Sequence, residues 1–166
     1  MDDSLTQACV DLAAALRLAA RFDLNEGICN HFSYAPPERP DAFLVNPFGI
    51  HWSQLKASDL LLVDFDGKVL EGEGELEVTA FCIHMPYATT LTSLIDTPLE
   101  PISQNALRYY NDVAYDGDYN GIATEVEEGE RMARALGDKR VLFLANHGVV
   151  VVGPNIARAF EDLYYL

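Results

Sequence analysis

The sequence is poor in basic residues, cysteine and long apolar runs, and each shortage excludes something. Only 11 lysines and arginines stand against 26 aspartates and glutamates in 166 residues, a formal charge of −15. A surface of that sign repels phosphate backbones and anionic lipids, so neither nucleic acid nor a membrane is an expected partner. Three cysteines, Cys9, Cys29 and Cys82, form an odd set without CxxC spacing. They read as reduced thiols serving as small buried hydrophobes, and the expected compartment is the cytoplasm. No apolar stretch approaches the length of a membrane span, and the start Met1-Asp2-Asp3-Ser4 lacks the basic region of a secretory signal. A Walker loop, a GxGxxG turn, a GxSxG elbow and any local HxH or HExxH pair are also missing. Nucleotide binding, serine hydrolysis and a self-evident zinc motif therefore lack support.

What is present is a hydrophobic content of 49%, enough for one domain with a substantial core. Ser4-Leu-Thr-Gln7 has capping-box form, and Leu5, Cys9, Leu12, Leu16 and Ala19 recur at helical spacing, which predicts a helix to Arg21. Ile28 to Tyr34 alternates as a strand should, and a proline-rich loop joins it to a partner over Ala42 to Val45. Asp66-Gly67 turns the strand Leu60 to Phe65 back into Lys68 to Leu70. Helices are expected from Glu77 to Ile83, over Val126 to Leu136 with Gly137 as its cap, and from Pro154 to Leu166. Thr89 to Leu94 reads as a short helical or turn segment, and Asn111 to Gly121 as a polar loop with room for one short strand. The expected fold is mixed α/β: a single domain whose central, mainly antiparallel β-sheet is flanked by helices.

The chemistry centres on His147. It lies in Val141-Leu-Phe-Leu-Ala-Asn-His-Gly-Val-Val-Val-Val-Gly153, between two apolar runs short enough to be buried strands. The break at Asn146-His147-Gly148 is a turn whose glycine can take positive φ. An imidazole at such a tip is fixed without being smothered, which suits a ligand or catalyst, although a solvated turn residue is the commoner outcome. His31 reads as a partly buried, satisfied histidine and His51 as a structural turn residue. His84 closes an apolar stretch, where capping is an equal alternative. Glu71, Glu73 and Glu75 alternate with glycines as a solvated run would. Glu77 instead opens an apolar stretch and could be held rigidly, as a general base must be.

Several segments together resemble the class II aldolase/adducin family, in the right order and over nearly the whole chain. Gly27-Ile-Cys-Asn-His31 resembles its turn after the first helix, and Phe43-Leu-Val-Asn-Pro-Phe-Gly49 its substrate loop. Asp59 to Gly74 matches the strand pair that follows, and Met85-Pro-Tyr-Ala-Thr-Thr-Leu91 the segment after the family's His-x-His pair. Leu144-Ala-Asn-His-Gly148 resembles its late metal-ligand turn. The resemblance implies a class II aldolase-like fold and a divalent metal, usually zinc, held by three histidines, with His147 and His84 as the ligands to be found here. It implies Glu77 as the acid–base carboxylate, and a small hydroxylated or carboxylated substrate held by backbone near Asn30 and Phe48-Gly49. A Lewis acid with an open position would stabilise the enolate formed beside a carbonyl. A homotetramer is implied as well. The alternative is an adducin-like scaffold or interaction domain without catalysis.

One departure bears on all of this. Family members place a helix and a strand before Met-Pro-Tyr-Ala, whereas here Ile83-His84 runs directly into Met85-Pro86. His84 reads either as the second histidine of the missing pair or as the histidine ending the upstream helix, and Val78 to Ile83 favours the latter. The expectation is a single 1–166 domain that omits an internal segment between His84 and Met85 and a C-terminal extension. A chain without that segment would lack two ligands, and this copy of the site would then be without metal.

Overall fold

The computed structural model describes residues 3–77, 84–94, 98–118 and 126–166, the side chains of 126 and 127 excepted. Helix α1, Asp3–Arg21, buries Leu5, Cys9, Leu12, Leu16 and Ala19 along one stripe, the face anticipated from the spacing. Four strands follow as one antiparallel sheet in sequence order: β1 (Ser33–Tyr34), β2 (Ala42–Val45), β3 (Leu61–Asp64) and β4 (Val69–Glu71). Its two faces do different things. Leu44 and Leu62 join α1, Trp52 and Leu55 in the main core. Val45, Leu61 and Val63 pack on the other side with Phe43, Val69 and Leu76.

Helix α2 (Pro86–Thr92) then leads toward a second sheet, β5 (Val113–Asp116), β6 (Val141–Leu144) and β7 (Gly148–Val151). Strands β5 and β6 are parallel because helix α3, Val126–Leu136, lies between them in the chain and supplies the crossover. Strand β7 returns antiparallel to β6. Val141 and Phe143 face the main core, while Leu142 and Leu144 meet Met132, Ala135 and Leu136 of α3. Burial on both faces explains why β6 is an unbroken apolar run rather than an alternating one. Helix α4, Ile156–Tyr165, closes the described chain. No described helix is long and apolar enough to cross a membrane.

The fold class is the expected mixed α/β, with the described strands divided between two sheets. Four local expectations need correction. The strand from Ile28 shrinks to Ser33–Tyr34, because Asn30 sits at φ +80° and breaks the extended run. In the hairpin around His147 it is Asn146, at φ +56°, that takes the left-handed conformation, not Gly148. Asparagine tolerates that region better than most residues because its short amide can bond locally. Asn155, not Pro154, begins the last helix, its side-chain oxygen accepting the Arg158 N–H at 2.9 Å. Cys29 is exposed, unlike buried Cys9. Cys82 and the helix expected over Glu77 to Ile83 lie outside the described residues, save Glu77 itself, which is not helical.

Candidate functional site

Two histidines far apart in sequence meet at one cleft. Tight pairing of β6 with β7 carries His147 on the hairpin tip, where its N–H donates to the Leu144 carbonyl at 3.1 Å. The hairpin is tied to α2 by the Asn146 N–H, which donates to the Thr92 carbonyl at 2.9 Å. His84 lies just before Met85, which caps α2 with Pro86 in the first turn. The two rings are 5.1 Å apart between centroids and inclined by 58°. Burial, and then the neighbouring His84, push the pKa of His147 below the usual histidine value, which favours the neutral ring.

The third member comes from the turn after α1. Glu26 Oε2 lies 2.5 Å from His84 Nδ1. Asn25, Glu26, His84, Thr89, Thr90 and His147 contribute to the walls of a cleft of about 490 Å³. Two buried polar atoms in those walls, His84 Nε2 and Thr89 Oγ1, have no hydrogen-bond partner among the described residues. Buried polar groups are nearly always paired, which makes these two atoms candidates for contact with a bound group.

On the other side of the same loop, His31 is buried and its Nε2 lies 3.4 Å from Glu77 Oε2. Burial lowers the His31 pKa and the Glu77 charge partly opposes this. Glu77 and Glu26 both reach the exposed Cys29 thiol electrostatically; burial first, then these two charges, raise its pKa. Residues 26–31 thus carry one carboxylate and one histidine, each engaged with a partner from residues 77–84.

The expected substrate residues are brought near this loop by Asn46. Its side chain accepts from the Phe32 N–H at 3.0 Å and donates to the Asn30 carbonyl at 3.2 Å, pinning the 30–32 segment to the turn that holds Phe48 and Gly49. Gly49 takes φ +86°, and the Phe48 N–H is already committed to the Glu75 carbonyl at 2.8 Å. The side-chain amide nitrogen of Asn30 is buried and has no partner among the described residues. His51 is structural as expected, its Nδ1 accepting from the Ser53 N–H.

A metal fits part of this arrangement. Neutral His147 and the orphaned Nε2 of His84 offer two nitrogen donors on one cleft, but the described residues contain no group of three or more metal-ligating side chains. His84 stands beside His147 and abuts Met-Pro-Tyr. Sequence reading missed Glu26 and Thr89, because a turn glutamate and a helical threonine look like ordinary solvated residues.

Comparison with known proteins places the chain. The Class II Aldolase and Adducin N-terminal domain matches it in two segments, residues 10–85 and 80–166. The chain belongs to the class II aldolase and adducin family. A Caulobacter vibrioides protein whose provisional name is aldolase class 2 protein is 33% identical across 96% of this chain and 68% of its own length. Mouse α-adducin is 36% identical across 93% of this chain but only 24% of its own. Among solved structures, an aldolase II superfamily protein from Pseudomonas syringae superposes with a TM-score of 0.90 at 30% identity, covering 99% of this chain and 73% of that one. L-fuculose 1-phosphate aldolase from Glaciozyma antarctica PI12 gives 0.83 at 25% identity, over 96% and 69% respectively. The Caulobacter alignment runs over 177 positions, more than the 166 residues of this class II aldolase-family chain.

Proposed function

We propose that this protein is a divalent-metal-dependent, lyase-type enzyme acting on a small hydroxylated or carboxylated substrate. The observation that carries the reading is the meeting of His84 and His147 at a cleft with two orphaned polar atoms. His84 and His147 would hold the cation, zinc being the ion that suits imidazole donors, and it would supply the Lewis acidity that stabilises negative charge beside a carbonyl. Glu77, half-buried and steadied by His31, is positioned to move a proton. Asn30 offers a buried amide N–H, and the turn at Phe48-Gly49 offers backbone, to a substrate oxygen. Solved relatives that include an L-fuculose 1-phosphate aldolase support aldol chemistry, and a relative named as a decarboxylase supports the wider class.

The family match breaks at 80–85 and the alignment with the Caulobacter relative is longer than the chain. Both support the reading that relatives carry an internal segment, with further ligands, that this sequence omits. A homotetramer with cleft residues shared between subunits, in the cytoplasm, completes the proposal. The similarity to α-adducin favours a second reading, a scaffold without catalysis. Intact mass and metal content decide. A mass above 18.4 kDa with stoichiometric metal that is lost in His147→Ala supports the enzyme. A mass of 18.4 kDa with no bound metal supports the scaffold.

A further inference from the structure

We propose that Glu26 is a positioning residue: it selects the tautomer of His84 that leaves Nε2 with a free lone pair on the histidine cleft. The inference deepens the metal-site reading above and rests on it.

A carboxylate accepts hydrogen bonds and cannot donate when ionised. At 2.5 Å from Glu26 Oε2, the Nδ1 of His84 must therefore carry the proton. When the ring is neutral only one nitrogen is protonated, and with Nδ1 facing the carboxylate Nε2 then keeps its lone pair. That nitrogen is buried and has no hydrogen-bond partner among the described residues. The structure thus sets a donor nitrogen beside the neutral imidazole of His147 and commits the other nitrogen to a carboxylate. Histidines that ligate metals hold this relation to a carboxylate, which orients the ring and raises the basicity of the donor.

The backbone explains why Glu26 can do this. Helix α1 ends at Arg21, and the chain reverses through Asp23 at φ +56° and Gly27 at φ +59°. The Asn25 side chain donates to the Gly27 carbonyl at 3.0 Å, and the Cys29 N–H donates to the Glu26 carbonyl at 3.2 Å. Glu26 therefore projects from a braced turn. The Asn25 side-chain amide also lies 3.3 Å from His51 Nε2, beside the 3-10 turn at Trp52–Gln54.

The test has two readouts on the full chain. First, long-range 1H–15N spectra of the metal-free protein, above the histidine titration range, report the tautomer of His84. The wild type should show Nδ1–H, and Glu26→Ala should shift the population toward Nε2–H, with Glu26→Gln between them because an amide oxygen still accepts. A wild-type His84 already in the Nε2–H form overturns the proposal whether or not metal binds. Second, calorimetric titration with Zn2+ alone should show affinity about 10–100-fold weaker in Glu26→Ala than in the wild type. Wild type and Glu26→Ala binding Zn2+ within twofold of one another overturns the proposal and leaves the metal reading standing. A wild type that shows Nδ1–H but takes up no Zn2+ defeats the metal reading and, with it, the role assigned here to Glu26.

Discussion

The histidine cleft and the cluster around the Asp162 carboxylate are two polar sites of the described structure built on different terms. Asp162 on α4 is fully buried, and three arginines converge on it: Arg108 at 3.4 Å, Arg140 at 2.7 Å and Arg158 at 3.0 Å. Arg140 also pairs with Asp112, and the Tyr109 hydroxyl donates to the Asp162 carbonyl at 2.5 Å. Both carboxylate oxygens accept from a guanidinium, the donors coming from the 3-10 turn before β5, the residue before β6 and α4 itself, while Arg108 Nε is left buried without a partner among the described residues. In the cleft the leftover atoms are of another kind: His84 Nε2 and Thr89 Oγ1, which can offer lone pairs where Arg108 Nε cannot. A carboxylate with guanidinium groups on both oxygens holds elements together and offers little to a ligand. A cluster with lone pairs to spare on a braced loop is where binding energy is still available.

Breaking the Asp162 cluster should have the largest effect on folding. Asp162→Ala strands three guanidinium groups around a buried void. Losing one partner of a buried ion pair costs about 3–5 kcal/mol, and partial exposure of the arginines favours the lower end. At roughly 2–4 °C per kcal/mol for a chain of this size, the melting temperature should fall by about 6–12 °C. A fall below 2 °C in thermal denaturation would show that the cluster is ornamental. Tyr109→Phe removes one donor from the same cluster and should cost about 1 kcal/mol by urea denaturation. Burial, reinforced by the Asp162 charge, pushes the Tyr109 pKa up to about 12, so this hydroxyl remains a donor throughout any accessible pH.

The same manipulations in the cleft should separate stability from binding. His147→Ala should shift the midpoint of unfolding by no more than about 0.5 kcal/mol, as for a partly exposed turn residue, while abolishing uptake of Zn2+. Thr89→Val replaces an orphaned hydroxyl with an isosteric methyl and should be neutral or slightly stabilising. A Thr89→Val variant as unstable as Tyr109→Phe would mean that the hydroxyl is engaged and the contrast between the two clusters false.

This contrast also explains what could be read from the chain. His147 was legible because its surroundings are local: two apolar strands and a three-residue turn lie within a dozen positions. So were α1, β2 to β4 and α3, whose periodicity or turn chemistry is written in adjacent residues. The Asp162 cluster was not, because Arg108, Arg140 and Arg158 acquire their meaning only when three distant elements pack. Glu26 was invisible for a similar reason, since its partner is reached only through the fold. Asn30 misled the reading of its segment: alternation from Ile28 to Tyr34 suggested a strand, and nothing local announces a left-handed asparagine or the Asn46 side chain that holds it.

The smallest effect concerns pH, and it probes the loop that joins the two sides of the candidate site. Burial holds the His31 pKa below its ordinary value of 6.5, with Glu77 opposing. A histidine lowered in the folded state is protonated more readily when unfolded. Stability should therefore be fully present above pH 6.5 and should decline as pH falls from there toward the folded-state pKa. His147 is lowered in the same sense, so the wild-type slope contains both contributions. His31→Gln should flatten part of that decline in urea titrations between pH 7 and about 5, and His31→Gln combined with His147→Ala should flatten more of it. If the single variant and the wild type lose stability in parallel, His31 takes up its proton equally readily folded and unfolded. Its contact with Glu77 would then fully offset its burial.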